Sequence, residues 1–206
     1  MDIVESYKHV SKVISEKDNG IYDAMNKGIM AATGDIIGIL NSDDFYTDNN
    51  ILSEIVASFD VKTDATIGDI AFVNPDNLER TVRYYSANSW KPWKFRWGFM
   101  PPHPSFFIRK KHYEEFGNYK DDYIIASDYE LLVRMLHNKR LAYKYIPKRI
   151  VTMRTGGVSN QNIKSRLVLN QEIVRACKEN NITTNLFMLV LKYPIKIFEY
   201  IKPGKK

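Results

Sequence analysis

The 206-residue sequence predicts an α/β fold, with parallel strands flanked by helices. Short apolar runs suited to buried strands alternate with segments whose apolar residues recur at helical spacing. One such run, in IIGILNSDDFY, ends abruptly in Asn41-Ser42-Asp43-Asp44. In open α/β sheets, ligands gather outside the carboxyl ends of the strands. An ionised carboxylate is costly to bury alone, so Asp43 and Asp44 are expected at an exposed strand end, facing something cationic. A hydrophobic fraction of 44% with 13% aromatics argues against a disordered chain, and the length fits one domain better than two.

The elements follow in order. Residues 1–7 read as the tail of a helix, and residues 9–15 (HVSKVIS) alternate as a short strand does. In IYDAMNKGIMAA, the residues Ile21, Ala24, Met25, Gly28, Ile29 and Ala32 share one helical face, with Gly34 as the stop. Residues 35–40 are the strand that leads to the carboxylates, and residues 50–59 form a helix with Ile51, Ile55 and Phe59 in line. Residues 65–74 and 78–85 make a hairpin around NPDN, with a somewhat long connection. The stretch SWKPWKFRWGFMPPHP is too interrupted for a regular element, and residues 105–109 return to strand character. Ser127 and Glu130 have the spacing of a capping box, opening a helix whose Tyr129, Leu132, Val133 and Leu136 face inward. Residues 141–153 are a strand broken at Pro147, Gly156-Gly157 is a loop, and residues 164–178 are a helix.

Charge and cysteine usage narrow the setting. A net charge of +6 is compatible with nucleic acid, phosphorylated small molecules or acidic headgroups, and does not choose among them. Nucleic acid has only the basic, aromatic composition of residues 90–97 behind it and is not an expected partner. Cys177 is the sole cysteine, so no internal disulfide forms and a reducing compartment fits. No Cys/His metal pattern appears, and MDIVESYKHV has neither the basic leader nor the apolar core of a signal peptide. The chain is therefore expected in the cytoplasm.

The C-terminal NLFMLVLKYPIKIFEYIKPGKK combines a short apolar run with five lysines. That run falls short of the roughly 20 residues a membrane span takes. Residues 184–206 are expected as an amphipathic basic helix, kinked at Pro194, that contacts acidic headgroups on the inner face of a membrane. Docking of this segment on residues 1–183 is the alternative.

The segment SEKDNGIYDAMNKGIMAATGDIIGILNSDDFY resembles family 2 glycosyltransferases of the bacterial cell-surface polysaccharide type. GIYDAMNKGI, ATGD and an N-x-DD variant of the DxD motif occur in the usual order. The resemblance continues through HPSFFIRKKHYEEFG, ASDYELLVRM and GGVS. It implies a GT-A, Rossmann-like fold with a mixed, mainly parallel sheet. It also implies a nucleotide-sugar donor, a glycan or lipid-linked acceptor, Mg²⁺ or Mn²⁺ as cofactor, and transfer with inversion. Self-association is left open.

The same resemblance assigns residues. Asp43 matches the final acid of DxD and is the first metal ligand, with Asp44 as helper; a bare Asp-Asp could equally cap a helix or make a turn. Asn41 replaces the more common first acid of that motif, which lowers the charge offered to a cation while leaving an acceptor for a ribose hydroxyl. Asp23 and Lys27 border the donor nucleotide in similar proteins, although an acid in a first helical turn is also favoured by the dipole alone. Asp128 corresponds to the general base of inverting members; the rival reading is a capping acid. His103 and Asp69 are weaker candidates for diphosphate or acceptor contact, and Gly156 and Gly157 for a flap that closes over substrate.

Similar proteins begin with a strand, a helix and a nucleotide-binding turn that are not found here, an expected shortfall on the order of 30 residues. A non-catalytic membrane scaffold of the same ancestry is therefore the competing expectation.

Overall fold

The structure, a computed structural model, describes residues 4, 6–155 and 163–191. The helix α1 (Ile21–Ala31) leads into β1 (Ile36–Gly38), β2 (Phe45–Tyr46) and α2 (Ile51–Ser58). The long strands β3 (Ala65–Asn74) and β4 (Asn77–Tyr85) follow, then 3-10 turns at Pro92–Trp97 and His103–Ser105. The chain continues with β5 (Phe107–Arg109), α3 (Lys110–Phe116), α4 (Ser127–Val133), a π-helical extension at Arg134–Asn138, β6 (Tyr143–Arg154), α5 (Ile163–Glu179) and α6 (Leu186–Val190).

The strands form one six-stranded sheet in the order β1-β5-β3-β6-β2, with β4 paired to β3 off that path. The sheet is mixed and helix-flanked, but it is not mainly parallel. Only β3 and β6 pair in parallel among the described residues, because β5 enters antiparallel between β1 and β3. The alternation of strands and helices does not disclose such an insertion. It does fix direction: β1, β3 and β6 all run one way, and β2, β4 and β5 run against them. The carboxyl ends of β1, β3 and β6 therefore point the same way, with Gly38 at the end of β1 level with Thr66 of β3, and Phe45 at the start of β2 level with Ala71.

Helices cover both faces. On one, Ile51 and Ile55 of α2 pack with Ile70, Phe107, Ile150 and Val151. On the other, Tyr22, Ile29, Ile37, Ile67, Ile108, Leu132, Ile173 and Leu189 belong to the larger core. Every residue of α4 except Asp128 is buried, so its inward face is wider than the expected stripe. An open groove of about 500 Å³ lies between α1 and the outer side of β1, lined by Ile21, Ala24, Met25, Gly28, Ile37 and Gly38 among others.

Several expected elements differ. Residues 9–15 form no strand, because no neighbouring strand supplies hydrogen bonds to them. The hairpin connection is short, with Asn74 paired directly to Asn77. Pro147 does not break β6: the register steps from Ile67↔Tyr145 to Asp69↔Arg149, and the bulge so formed takes up a residue that cannot donate to the ladder. Gly68 sits at this step with Ile150 pressed against it. Most of the 1–7 segment, Gly156-Gly157 and residues 192–206 lie outside the described residues.

Candidate active site

The chemistry-bearing side chains lie on the segment that leaves β1, on the turn before β5, on α1 and at the start of α4. Residues 39–44 leave the carboxyl end of β1 at one edge of the sheet and enter β2 at the other, so they cross the sheet from edge to edge. Arg154, at the carboxyl end of β6, pins the crossing by donating to the Asp43 carbonyl at 2.5 Å. His103 belongs to the turn just before the amino end of β5. Asp128 interacts electrostatically with His103 and reaches Tyr22 of α1.

The two acids of the crossing differ. Asp43 is exposed and Asp44 is buried. Asn41 donates from Nδ2 to Asp44 Oδ2 at 3.2 Å, while Asp44 Oδ1 is buried with no hydrogen-bond partner. Burial, and then the neighbouring Asp43 charge, push the Asp44 carboxyl up to about 6, against the pull of Asn41 and Arg154. A buried carboxylate oxygen without a donor is costly to leave unmet, which makes it a natural contact for a hard cation. Asp43 and Asp44 are the residues of this segment that could hold a divalent cation. No group of three or more His, Cys, Asp or Glu side chains suited to a metal occurs among the described residues.

Asp128 stands in the first turn of α4, yet it does not work as a simple cap. The preceding Ala126 holds the cap position, Ser127 Oγ donates to the Lys120 carbonyl at 2.6 Å, and Glu130 pairs with Arg134 at 2.9 Å. The expected Ser127/Glu130 capping box is therefore absent: both side chains are engaged by tertiary partners. Asp128 Oδ1 accepts from the Tyr129 N–H at 2.7 Å and faces the Tyr22 hydroxyl at 3.5 Å. Desolvation raises its pKa above the ordinary carboxylate value, partly offset by His103, the Tyr129 N–H and Tyr22. A carboxylate so placed is a stronger base than one in water. Burial in turn holds His103 neutral, and its Nε2 lies 2.6 Å from the Tyr119 hydroxyl.

The GIYDAMNKG stretch explains much of this arrangement. Tyr22 donates to the Ile125 carbonyl at 2.5 Å, and Asn26 brackets Tyr119 with two bonds, Nδ2 to its carbonyl at 2.8 Å and Oδ1 from its N–H at 3.0 Å. Lys27 meets Glu16, Asp18 and Asp23 at 2.7, 2.8 and 3.1 Å, and Asp23 also accepts from the Asn19 N–H at 2.9 Å. Asp23 and Lys27 thus fasten the segment before α1 to the helix. Asp69 is likewise satisfied within the protein: it accepts from Tyr84 at 2.9 Å, Tyr145 at 3.0 Å and the Ala87 N–H at 2.8 Å. This ties β3 to β6 and to the end of β4. Gly156 and Gly157 are outside the described residues.

Tyr22, Asn26, Arg154 and Glu172 were not singled out by sequence reasoning. Glu172 accepts the N–H groups of Ile124, Ile125 and Ala126 at 2.6, 2.9 and 2.8 Å. The only sequence signal for Tyr22 and Asn26 is their place inside GIYDAMNKG. Glu172 and Arg154 act at long range and leave no local pattern.

Residues 2–117 match the family model described as Glycosyl transferase family 2. The chain belongs to this family. A similar curated protein is "Uncharacterized glycosyltransferase Rv1514c" of Mycobacterium tuberculosis, 30% identical over 58% of this chain and 45% of that protein. The "PGL/p-HBAD biosynthesis glycosyltransferase" of Mycobacterium bovis is 24% identical over 70% of this chain and 55% of its own length. The chain thus spans about half the length of these curated relatives. Among solved structures, S. aureus TarS 1-349 superposes with a TM-score of 0.56 at 12% identity, covering 88% of this chain and 53% of that one. This likeness shows the GT-A fold.

Proposed function

We propose that this family 2 domain transfers a sugar, with inversion, from a nucleotide-sugar to a hydroxyl of a glycan or lipid-linked acceptor. The observations that support the reading are the desolvated Asp128 carboxylate, beside Tyr22 and His103, and the unpartnered oxygen of Asp44 in the segment that leaves β1. That TarS was also solved in complex with UDP-GlcNAc, at a TM-score of 0.53, supports a nucleotide-sugar as donor here.

In this reading, Asp43 and Asp44 hold Mg²⁺ or Mn²⁺, which supplies charge neutralisation for the diphosphate leaving group. Asn41 fixes Asp44 and offers a contact to the donor ribose. Asp23 and Lys27 serve the donor side by holding the segment before α1. The acceptor oxygen forms its bond to the anomeric carbon as the bond to the diphosphate oxygen breaks, and Asp128 takes the acceptor's proton. His103 stays neutral beside Asp128 and offers a hydrogen-bonding contact to acceptor or diphosphate, whereas Asp69 acts by holding β3 to β6.

A membrane-side acceptor is supported by α6, where Leu186, Phe187 and Val190 are exposed, Phe187 at 74%. The sequence beyond them carries Lys192, Lys196, Lys202, Lys205 and Lys206. Among the described residues no helix is long and apolar enough to cross a membrane, so the contact would be peripheral, on the cytoplasmic face.

Calorimetry with a UDP- or GDP-sugar and Mn²⁺ tests donor use. Binding that Asp43→Ala removes is expected, and no binding of any nucleotide-sugar by the protein would overturn the reading.

A further inference from the structure

We propose that Glu172 is the positioning residue for Asp128: its carboxylate gathers three consecutive backbone N–H groups and thereby fixes the turn that delivers the base. The role in catalysis rests on reading Asp128 as the base; the placement does not. The donors are Ile124 at 2.6 Å, Ile125 at 2.9 Å and Ala126 at 2.8 Å, all within four residues of Asp128. Glu172 lies on α5, some 45 residues away in sequence, and its side chain is buried. Three backbone N–H groups that converge on one side chain call for a group that only accepts, which a carboxylate is and an amide is not.

The turn is clamped from its other side as well. Tyr22 donates to the Ile125 carbonyl at 2.5 Å, Asn26 brackets Tyr119, and Ser127 Oγ closes residues 120–127 onto the Lys120 carbonyl at 2.6 Å. With α1 holding the carbonyl side and α5 the N–H side, Ile125 cannot shift without breaking a bond to one of them. Asp128 is three residues further on. The other ionisable groups that act on Asp128 or on Tyr22 beside it are His103, Tyr119 and Glu172. The neighbouring acids Glu130 and Glu179 are engaged elsewhere, Glu130 with Arg134 and Lys120, and Glu179 with Lys120 and Arg175.

Glu172→Gln keeps the length of the side chain but offers one oxygen, and turns an NH₂ toward at least one backbone N–H. The expected result is a fall of about tenfold or more in kcat, with the KM for the nucleotide-sugar changed less than twofold. The carboxyl of Asp128, followed by ¹³C NMR titration, should titrate at lower pH as it moves toward water. Glu172→Asp, which keeps the charge, should restore part of both.

A variant that loses thermal stability but keeps the wild-type kcat and the wild-type Asp128 titration would overturn the proposal and leave Glu172 as a structural tie. If the wild-type protein transfers no sugar, the enzymatic reading fails, while the NMR titration still decides the positioning. Should Glu172→Gln fail to fold, the Glu172→Asp titration decides: an intermediate shift supports the proposal, and no shift contradicts it.

Discussion

Tyr22 and Asp128, 106 residues apart in sequence, meet at 3.5 Å, with the same Tyr22 hydroxyl donating to the Ile125 carbonyl at 2.5 Å. The helix that bears the GIYDAMNKG motif is thus mechanically joined to the acid proposed as the base. Tyr22→Phe removes the hydroxyl and leaves the ring stacked on Tyr119. The expected outcome is a modest loss of stability, about 1 kcal/mol by denaturant titration, with a disproportionate loss of kcat. An equal, small effect on both would deny the joint any part in placing Asp128.

The raised pKa of Asp44 makes the protein less stable, relative to an uncharged residue there, as pH rises. Its folded value, about 6, lies above the ordinary 3.8, so the folded state prefers the protonated form and ionisation costs stability. That cost is absent below the ordinary value, grows as pH rises from about 4 to 6, and is complete above that. Asp44→Asn, measured in chelator, should therefore stabilise the protein at pH 7 by on the order of 1–3 kcal/mol. The gain should fade as pH falls to 4, and the same substitution should weaken Mn²⁺ binding. Destabilisation at pH 7 would contradict the account.

Gly68 is the tightest backbone position beside the bulge at Pro147. A Cβ there would lie 2.2 Å from Ile150 Cδ1 and 3.2 Å from the Lys148 carbonyl. Gly68→Ala must displace Ile150, whose side chain packs with Ile51 and Ile55 beneath α2. A loss of about 1–3 kcal/mol is expected, with no change in donor affinity, since the clash is on the face away from the larger core. Denaturant unfolding checks the first and calorimetry the second.

Asp69 gives a contrasting case. Its oxygens accept from Tyr84, Tyr145 and the Ala87 N–H. Asp69→Asn must turn an NH₂ toward one of these donors, for an expected loss of about 1–3 kcal/mol. Unchanged stability would indicate that Asp69 is free to face substrate instead.

How much of this was legible in the sequence depends on the range of the interaction. Local periodicity places α1, α2 and α5 within a residue or two, because their buried faces repeat along the chain. The abrupt end of the β1 run marks the segment that leaves the strand and the exposure of Asp43, but not the burial of Asp44, which was expected at an exposed strand end and turns inward instead. The antiparallel insertion of β5 was not legible, nor was the continuous β6 through Pro147, because both depend on which strand lies alongside. The partners of Ser127 and Glu130 misled for a related reason: capping spacing is a local signal, and Lys120 and Arg134 outcompete it. Glu172 was invisible, since an acid in an amphipathic helix carries no sign that it will meet three N–H groups of a distant turn.

The central claim is that Asp128 removes the acceptor's proton while Asp43 and Asp44 serve the donor. The transfer rate of Asp128→Asn at saturating nucleotide-sugar and Mn²⁺ tests it most directly. The account predicts donor affinity within a few-fold of wild type and a rate lower by about 10²–10⁴. Transfer by Asp128→Asn at the wild-type rate would contradict it.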